Sequence, residues 1–202
     1  MAGTALTKAD ARRIRVLALS AEIFSRRGFR ATSMNEIAAA VGLSKPTLYH
    51  YFSSKEELLV RLYSDVLDES LVLARETLAA AGSPLEAIRD LIASRVAYTC
   101  RHQSLLKVCF EEEHELPVEL AGEVLRRRRA FEDVFLTALR DHLTAHPGAL
   151  TGMTPKVYMN MCLGAANWTY KWYRPDGRST PEELGAGIAR SLTTAIDPDA
   201  RG

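Results

Sequence analysis

The 202-residue chain has few cysteines, no long apolar run and almost no net charge, and each absence excludes a class of protein. Cys100, Cys109 and Cys162 form an odd count without a Cys-x-x-Cys spacing, which is typical of a reducing compartment. No segment approaches the roughly 18 consecutive apolar residues of a membrane span. The first thirty residues are too charged for a secretory signal. We therefore expect a cytoplasmic protein without membrane association.

The sequence also lacks the motifs of common enzyme and metal sites. It contains no nucleophile elbow, P-loop, glycine-rich dinucleotide fingerprint or paired-cysteine motif. The run at residues 111–115 combines glutamates with His114, but adjacent helix positions do not converge on one ion, and an acidic surface turn is favoured. His142 and His146 have a metal-compatible spacing at a helix end, where capping of free carbonyls is more common. We predict no metal, no cofactor and no enzymatic activity.

The formal charge of +1 hides an uneven distribution along the chain. A near-zero total by itself argues against a nucleic-acid partner, because such proteins are commonly basic. Residues 1–60, however, hold nine basic and five acidic side chains and carry +4, whereas the remaining 142 residues carry −3. The sequence therefore predicts a basic N-terminal head on an acidic body.

Apolar residues recur with a helical period nearly everywhere, and no stretch alternates as a strand does. We therefore predict an all-α fold. Turn and cap residues place the helix ends as follows: a first helix ending at Gly28, a long helix after Ser53-Ser54, another entered through Gly82-Ser83-Pro84, an apolar stripe stopping near Pro147-Gly148, and two last helices at residues 155–173 and 181–196.

Residues 33–52 carry the signals of a helix-turn-helix. Ser33 and Glu36, three positions apart, form a capping box that predicts a helix start. Gly42 supplies the left-handed backbone of a sharp turn, and Ser44 caps a second helix with Pro46 in its first turn. Two short helices around a tight turn are the unit that places a helix in the DNA major groove.

The second helix has side chains suited to DNA. Lys45 can donate to guanine O6 and N7, while Pro46 and the Thr47 methyl can pack on a thymine methyl. Further donors suited to phosphates stand along its flanks and just beyond it, on Tyr49, His50, Tyr51 and Lys55. Leu48 and Phe52, four apart, are predicted to face inward. The sequence therefore predicts binding to double-stranded DNA.

Residues 24–58, including the string Leu48-Tyr49-His50-Tyr51-Phe52-Ser53-Ser54-Lys55-Glu56-Glu57-Leu58, resemble the DNA-binding domain of TetR/AcrR-family transcriptional regulators. The resemblance implies about nine helices, with a three-helix DNA-binding domain at 1–56 and a ligand-binding and dimerisation domain at 57–202. It also implies a homodimer formed through the last two helices, a palindromic operator, and repression relieved by a small molecule. The positions matching the family's base-reading residues are Lys45 and Thr47; those matching its phosphate contacts are Ser33, Tyr49, Tyr51 and Lys55, with Asn35 at a position that touches DNA in some members.

Residues 164–184 resemble a narrower branch of this family, the FadR-like regulators of lipid catabolism, which commonly respond to acyl-CoA thioesters. The resemblance implies an acyl-CoA effector of lipid or aromatic-acid catabolism. A hydrophobic drug or a free aromatic or fatty acid is the alternative effector. A helical enzyme acting on CoA esters is a remote alternative, because the chain shows no catalytic constellation.

Candidate effector contacts are Arg101, Trp168, Lys171 and Trp172. Lys171 stands where relatives often have arginine, so it keeps the charge but loses bidentate phosphate recognition. The two tryptophans share a helix face, and core packing is favoured over a pocket for both. The arginines at 126–129 are interpreted as a solvated helix face, with counter-charge for CoA phosphates as the alternative.

Overall fold

The computed structural model describes residues 7–201, and within them the chain forms nine α-helices and no strand. The predicted all-α, nine-helix fold is confirmed. None of these helices is both long and apolar enough to cross a membrane. The helices are α1 Lys8–Arg27, α2 Met34–Val41, α3 Lys45–Tyr51, α4 Lys55–Ala80, α5 Pro84–Arg101, α6 Gln103–Glu111, α7 Val118–Ala145, α8 Pro155–Trp172 and α9 Pro181–Thr193, with 3₁₀ turns at Glu113–Glu115 and Pro198–Arg201.

Side-chain caps fix most helix starts at the predicted places. The Ser83 and Thr154 side chains accept hydrogen bonds from backbone N–H groups at the starts of α5 and α8, each followed by proline in the first turn. The last two helices end slightly earlier than predicted. The backbone of Tyr173 is extended and ends α8, and the Ile196 N–H donates to the Thr193 carbonyl in a tighter turn after α9.

The chain divides into two compact units. The first unit comprises the chain up to Asp65 together with Ser104–Val124, and nothing in the sequence pattern indicates this grouping. Lys107 of α6 donates to the Ser25 carbonyl (2.7 Å), and Tyr63 of α4 donates to the Cys109 carbonyl. Hydrogen bonds therefore link α6 to α1 and α4, the helices before and after the helix-turn-helix.

The acidic run also belongs to this first unit. Ligand-type atoms of Glu112, His114 and Glu115 lie within 4.8 Å of one another. Both carboxylates already have partners, because Glu112 accepts from the Phe29 N–H (3.1 Å) and Glu115 pairs with Arg30. The run thus forms a turn that holds the segment between α1 and α2.

The second unit, Val66–Gln103 together with the chain from Leu125 onward, packs α5 against α8 and α9. Its core includes Leu91, Phe135, Tyr158 and Met159. His142 is buried there, and its Nε2 donates to the carbonyl of Ile196 (2.8 Å). His142 therefore binds a backbone carbonyl beyond α9 and not, as predicted, a free carbonyl at the end of its own helix.

All three cysteines are buried, as expected for core residues. Burial raises the pKa of Cys162 to about 11, and it also raises the pKa of Cys100. Because the thiolate is the reactive form, these two thiols are protonated and unreactive near neutral pH.

Candidate DNA-binding surface

The start of α2 is fixed by the predicted capping box. The Ser33 hydroxyl accepts from the Glu36 N–H (3.3 Å), and the Glu36 carboxylate accepts from the Ser33 N–H (2.8 Å) and pairs with Arg27 (2.5 Å). The hydrogen bonds from Ser33, reinforced by the charge of Arg27, hold the pKa of Glu36 below its ordinary value. These contacts order the polar surface at Ser33.

The turn between α2 and α3 has the predicted geometry. Gly42 adopts φ 71° and ψ 35°, in the left-handed region where a Cβ is unfavourable, and its N–H donates back to carbonyls of α2. The Ser44 hydroxyl accepts from the Thr47 N–H (3.3 Å) and starts α3. Leu48 and Phe52 are fully buried as predicted. The opposite side of α3 therefore faces outward.

The outward side of α3 displays most of the residues predicted to contact DNA. Lys45, Pro46, Tyr49 and His50 are exposed. The Lys45 ammonium lies 5.8 Å from the centre of the Tyr49 ring. Thr47 and Tyr51 are half-buried, with the Thr47 hydroxyl 2.7 Å from that of Ser44. The start of α3 therefore offers a cation beside an aromatic ring.

An open groove joins α3 to the starts of α2 and α4. Five of the nine predicted DNA contacts line it, namely Ser33, Asn35, Lys45, Tyr49 and Lys55. The other four, on α3, are not among its lining residues: Pro46, Thr47, His50 and Tyr51. The groove combines two cationic side chains with hydroxyl groups, an amide and one carboxylate, that of Glu56. The cations, hydroxyls and amide are groups that hold a phosphate backbone.

Two residues that line the groove, Ser53 and Ser54, were not predicted from the sequence as DNA contacts. Ser54 accepts from the Glu57 N–H (3.1 Å), and the Glu57 carboxylate accepts from the N–H (2.6 Å) and hydroxyl (2.7 Å) of Ser53. The Ser-x-x-Glu spacing of residues 54–57 is the same signal that identified α2, so this second cap was detectable. Both serines line the groove.

The ammonium of Lys55, one of the two groove cations, forms hydrogen bonds with backbone carbonyls of the protein itself. The Nζ atom donates to the carbonyls of Phe29 (2.7 Å) and Thr32 (2.9 Å), lies 3.4 Å from that of Arg30, and stands 4.3 Å from the centre of the Phe29 ring. An ammonium has three N–H donors, and three carbonyls face it here. The phosphate contact of Lys55 stays a prediction, but these contacts favour a positioning role.

The residues predicted to bind an effector lie on exposed parts of the second unit. Trp168 and Trp172 are 59% and 49% exposed, so the expectation that they pack in the core is wrong for this chain. Lys171 lies over the ring of Trp168 at 5.9 Å, and Arg101 forms an ion pair with Glu182. The effector role of all four stays a prediction.

The arginine run is distributed around α7. Arg126 and Arg129 are exposed, whereas Arg127 is half-buried and its Nε donates to Asp68 (2.9 Å) on α4. This partner, Asp68, is distant from Arg127 in sequence. The four side chains do not present one concentrated cationic site, in agreement with the interpretation as a solvated face.

Comparison with known proteins identifies this architecture. Residues 16–62 match the family described as bacterial regulatory proteins, tetR family, and residues 81–196 match the tetracyclin repressor-like, C-terminal domain. The chain belongs to the TetR family. It is therefore a helix-turn-helix transcriptional regulator, and membership confirms the expectation that it is not an enzyme.

Several relatives match this TetR-family chain over most of its length. The HTH-type transcriptional repressor KstR2 of Mycolicibacterium smegmatis is 28% identical over 86% of this chain and 85% of its own. The structure of PfmR from Thermus thermophilus is 26% identical with a TM-score of 0.81, covering 91% and 99% of the two chains. AibR in complex with isovaleryl coenzyme A and operator DNA is 28% identical with a TM-score of 0.73, covering 91% and 96%.

Proposed function

We propose that this regulator is a homodimeric repressor that reads a palindromic operator with α3 of each protomer and is released by an acyl-CoA thioester. DNA binding is supported by the groove at the starts of α2, α3 and α4. Five of the predicted contacts line this open surface, and on the inner face of α3 the side chain of Leu48 is fully buried. A rigidly seated helix with an exposed polar side is what major-groove insertion requires.

Within this surface we assign two kinds of contact. Lys45, Pro46 and Thr47, at the start of α3, read base edges. Phosphates are held by the surrounding polar groups, namely Ser33, Asn35, Tyr49, His50 and Tyr51. Lys55 stabilises this surface through its hydrogen bonds to the carbonyls of Phe29 and Thr32.

The homodimer is assigned to the last two helices. One face of α8 carries apolar and small side chains at helical spacing, and all of them are exposed: Val157, Met161, Gly164, Trp168 and Trp172. Exposed contiguous apolar surface of this kind is uncommon on a monomer and is typical of an interface. On α9, the exposed Ala186 is small enough for a partner helix to approach closely.

The acyl-CoA effector is supported by the likeness to AibR, whose structure contains isovaleryl coenzyme A and operator DNA. The resemblance of residues 164–184 to acyl-CoA-responsive regulators points the same way. A free aromatic or fatty acid or a hydrophobic drug is the second candidate. Effector binding and DNA binding are reciprocal, so each lowers the affinity for the other by the same factor.

The DNA assignment is tested by selecting an operator from a random duplex library and measuring anisotropy of a labelled duplex. Tyr49→Phe is expected to weaken binding several-fold on all sequences, because one charge-assisted hydrogen bond is lost. Thr47→Ala is expected to relax base preference instead. Lys156→Ala, which removes a cation paired with Glu132 in the other unit, serves as the control. Unchanged affinity of Tyr49→Phe for specific and random duplexes would contradict the placement.

The effector assignment is tested on the same complex. Titration with isovaleryl-CoA is expected to release the labelled operator, whereas CoA alone is not. Operator affinity should also fall with salt, with a slope set by the few phosphates that basic side chains of the two heads neutralise, since each one changes log K by roughly −0.9 per unit of log salt concentration. Binding that does not depend on salt would show that the +4 and −3 division of charge along the chain is incidental.

A further inference from the structure

Helix α1 carries an arginine on the face that packs into the first unit. Arg13 precedes the buried Val16 and Leu17 by three and four residues, so the three side chains share one face of the helix. The carbon of its guanidinium lies 4.8 Å from the ring centre of Phe52. Arg13 is half-buried, and its Nε atom is buried without a hydrogen-bond partner in the part of the chain that the structure describes. Contact with the Phe52 ring therefore places this cation beside the end of α3.

The charge of Arg13 is not neutralised by an ion pair. Arg27, at the other end of the same helix, pairs with the carboxylate of Glu36 (2.5 Å). Among residues 7–201, no carboxylate lies within ion-pair distance of Arg13. Asp10, three residues before it, accepts instead from the N–H (3.1 Å) and the hydroxyl (2.6 Å) of Thr7. Because arginine is charged at any ordinary pH, this guanidinium is available to a negatively charged partner.

The position of Arg13 relative to α3 indicates the chemistry of that partner. Phe52 directly follows His50 and Tyr51, two residues predicted to contact phosphates, whose rings lie edge to face with 5.7 Å between their centres. A helix in the major groove is flanked by the phosphate backbones of both strands. The two groove cations lie near the starts of α3 and α4, whereas neither Arg13 nor Phe52 lines that groove. Arg13 therefore adds a cation at a second place along α3.

We propose that Arg13 binds a phosphate of the operator beside the end of α3, in addition to the contacts predicted from the sequence. The inference rests on the proposed function, since it adds a phosphate site to the same DNA-binding unit. Arginine suits such a site because its planar guanidinium donates to phosphate oxygens from more than one nitrogen. Contact with the Phe52 ring restricts the long side chain before DNA binds, so less conformational freedom is lost in the complex.

The first experiment compares two variants that remove the same charge from the same helix. Affinity of the full-length protein for its selected operator is measured across a salt series for Arg13→Gln and for Arg15→Gln, the control, because Arg15 is exposed and faces another direction. In Arg13→Gln we expect affinity to fall about tenfold and the slope of log K against log salt to become shallower by roughly 0.9 per protomer. The control should show neither change. A lower melting temperature with an unchanged slope, or equal changes in both variants, would overturn the inference.

The second experiment changes the DNA. Phosphates of the operator are replaced one at a time by an uncharged methylphosphonate, and each duplex is titrated with the wild type, Arg13→Gln and Arg13→Lys. We expect one position in each half-site where the replacement weakens the wild type several-fold and leaves Arg13→Gln unaffected.

Arg13→Lys keeps the charge but loses the planar guanidinium. It should therefore retain the salt slope and show a smaller effect at that same position, which tests the contact even if Arg13→Gln does not fold. If every replacement that weakens the wild type weakens both variants equally, Arg13 only stabilises Phe52 and the inference fails. If instead the wild-type protein selects no operator, the proposed function itself fails.

Discussion

At the scale of single residues, the Lys55 ammonium binds backbone carbonyls of the protein, although the sequence predicts that it contacts a DNA phosphate. Its three carbonyl partners lie 23 to 26 residues earlier in the chain. Local signals such as capping boxes were predictable because they depend on spacings of three or four residues. Contacts across such separations depend on how the helices pack, and no local pattern encodes them.

The role of Lys55 can be separated from that of Lys45 by salt dependence. We expect Lys55→Met to lower the melting temperature and to weaken operator binding at every salt concentration equally, because three carbonyls lose their donor while no phosphate contact is lost. The measurement is operator affinity across a salt series, with Lys45→Met as the control for removing a groove cation. A slope shallower by about 0.9 per protomer in Lys55→Met would instead identify a phosphate contact.

At the scale of elements, the close packing of α5 on α9 depends on a glycine. A Cβ placed on Gly185 would lie 2.5 Å from the Ala93 carbonyl oxygen, whereas one placed on Gly187, two residues later on the same helix, would meet nothing within 4 Å. Both helices were predicted from apolar spacing and caps. Their contact was not, because periodicity identifies the buried face of a helix without identifying its neighbour.

These two glycines form a matched pair for a stability measurement. Gly185→Ala is expected to destabilise the protein by about 1–3 kcal/mol, because α9 must move away from the α5 backbone. In Gly187→Ala the free energy of unfolding should stay equal or rise by up to about 1 kcal/mol, since alanine favours helix. Chemical denaturation monitored by circular dichroism gives both values. Equal losses in the two variants would contradict the close approach at Gly185.

The period of apolar residues did not identify every helix. Helix α6 and the first part of α7 were not identified from the sequence, although α7 extends over 28 residues from Val118. The exposed Val118, Leu120 and Leu125 interrupt the amphipathic pattern at its start. Exposed apolar residues weaken the contrast between helix faces, which is the signal that marks a helix.

At the scale of the whole molecule, both tryptophans of the chain lie on the exposed face of α8. The sequence favoured a core position for them, because large apolar side chains are usually buried within their own chain. In a chain that dimerises, burial is completed by a second copy, so the preference of tryptophan for low-water surroundings holds only for the assembly. Intrinsic fluorescence therefore reports directly on the proposed interface.

We expect tryptophan emission of the concentrated protein to be blue-shifted, and to move to longer wavelength on dilution as the dimer dissociates. Val157→Glu, on the same face of α8, should shift emission to longer wavelength at all concentrations and halve the mass measured by light scattering. Val72→Glu is the matched control, because Val72 of α4 is 54% exposed, close to the 52% of Val157, but lies outside the last two helices. Since a palindromic operator is read by two protomers together, Val157→Glu should also lose operator affinity while the control retains it. A dimeric Val157→Glu protein with unchanged emission would place the interface elsewhere.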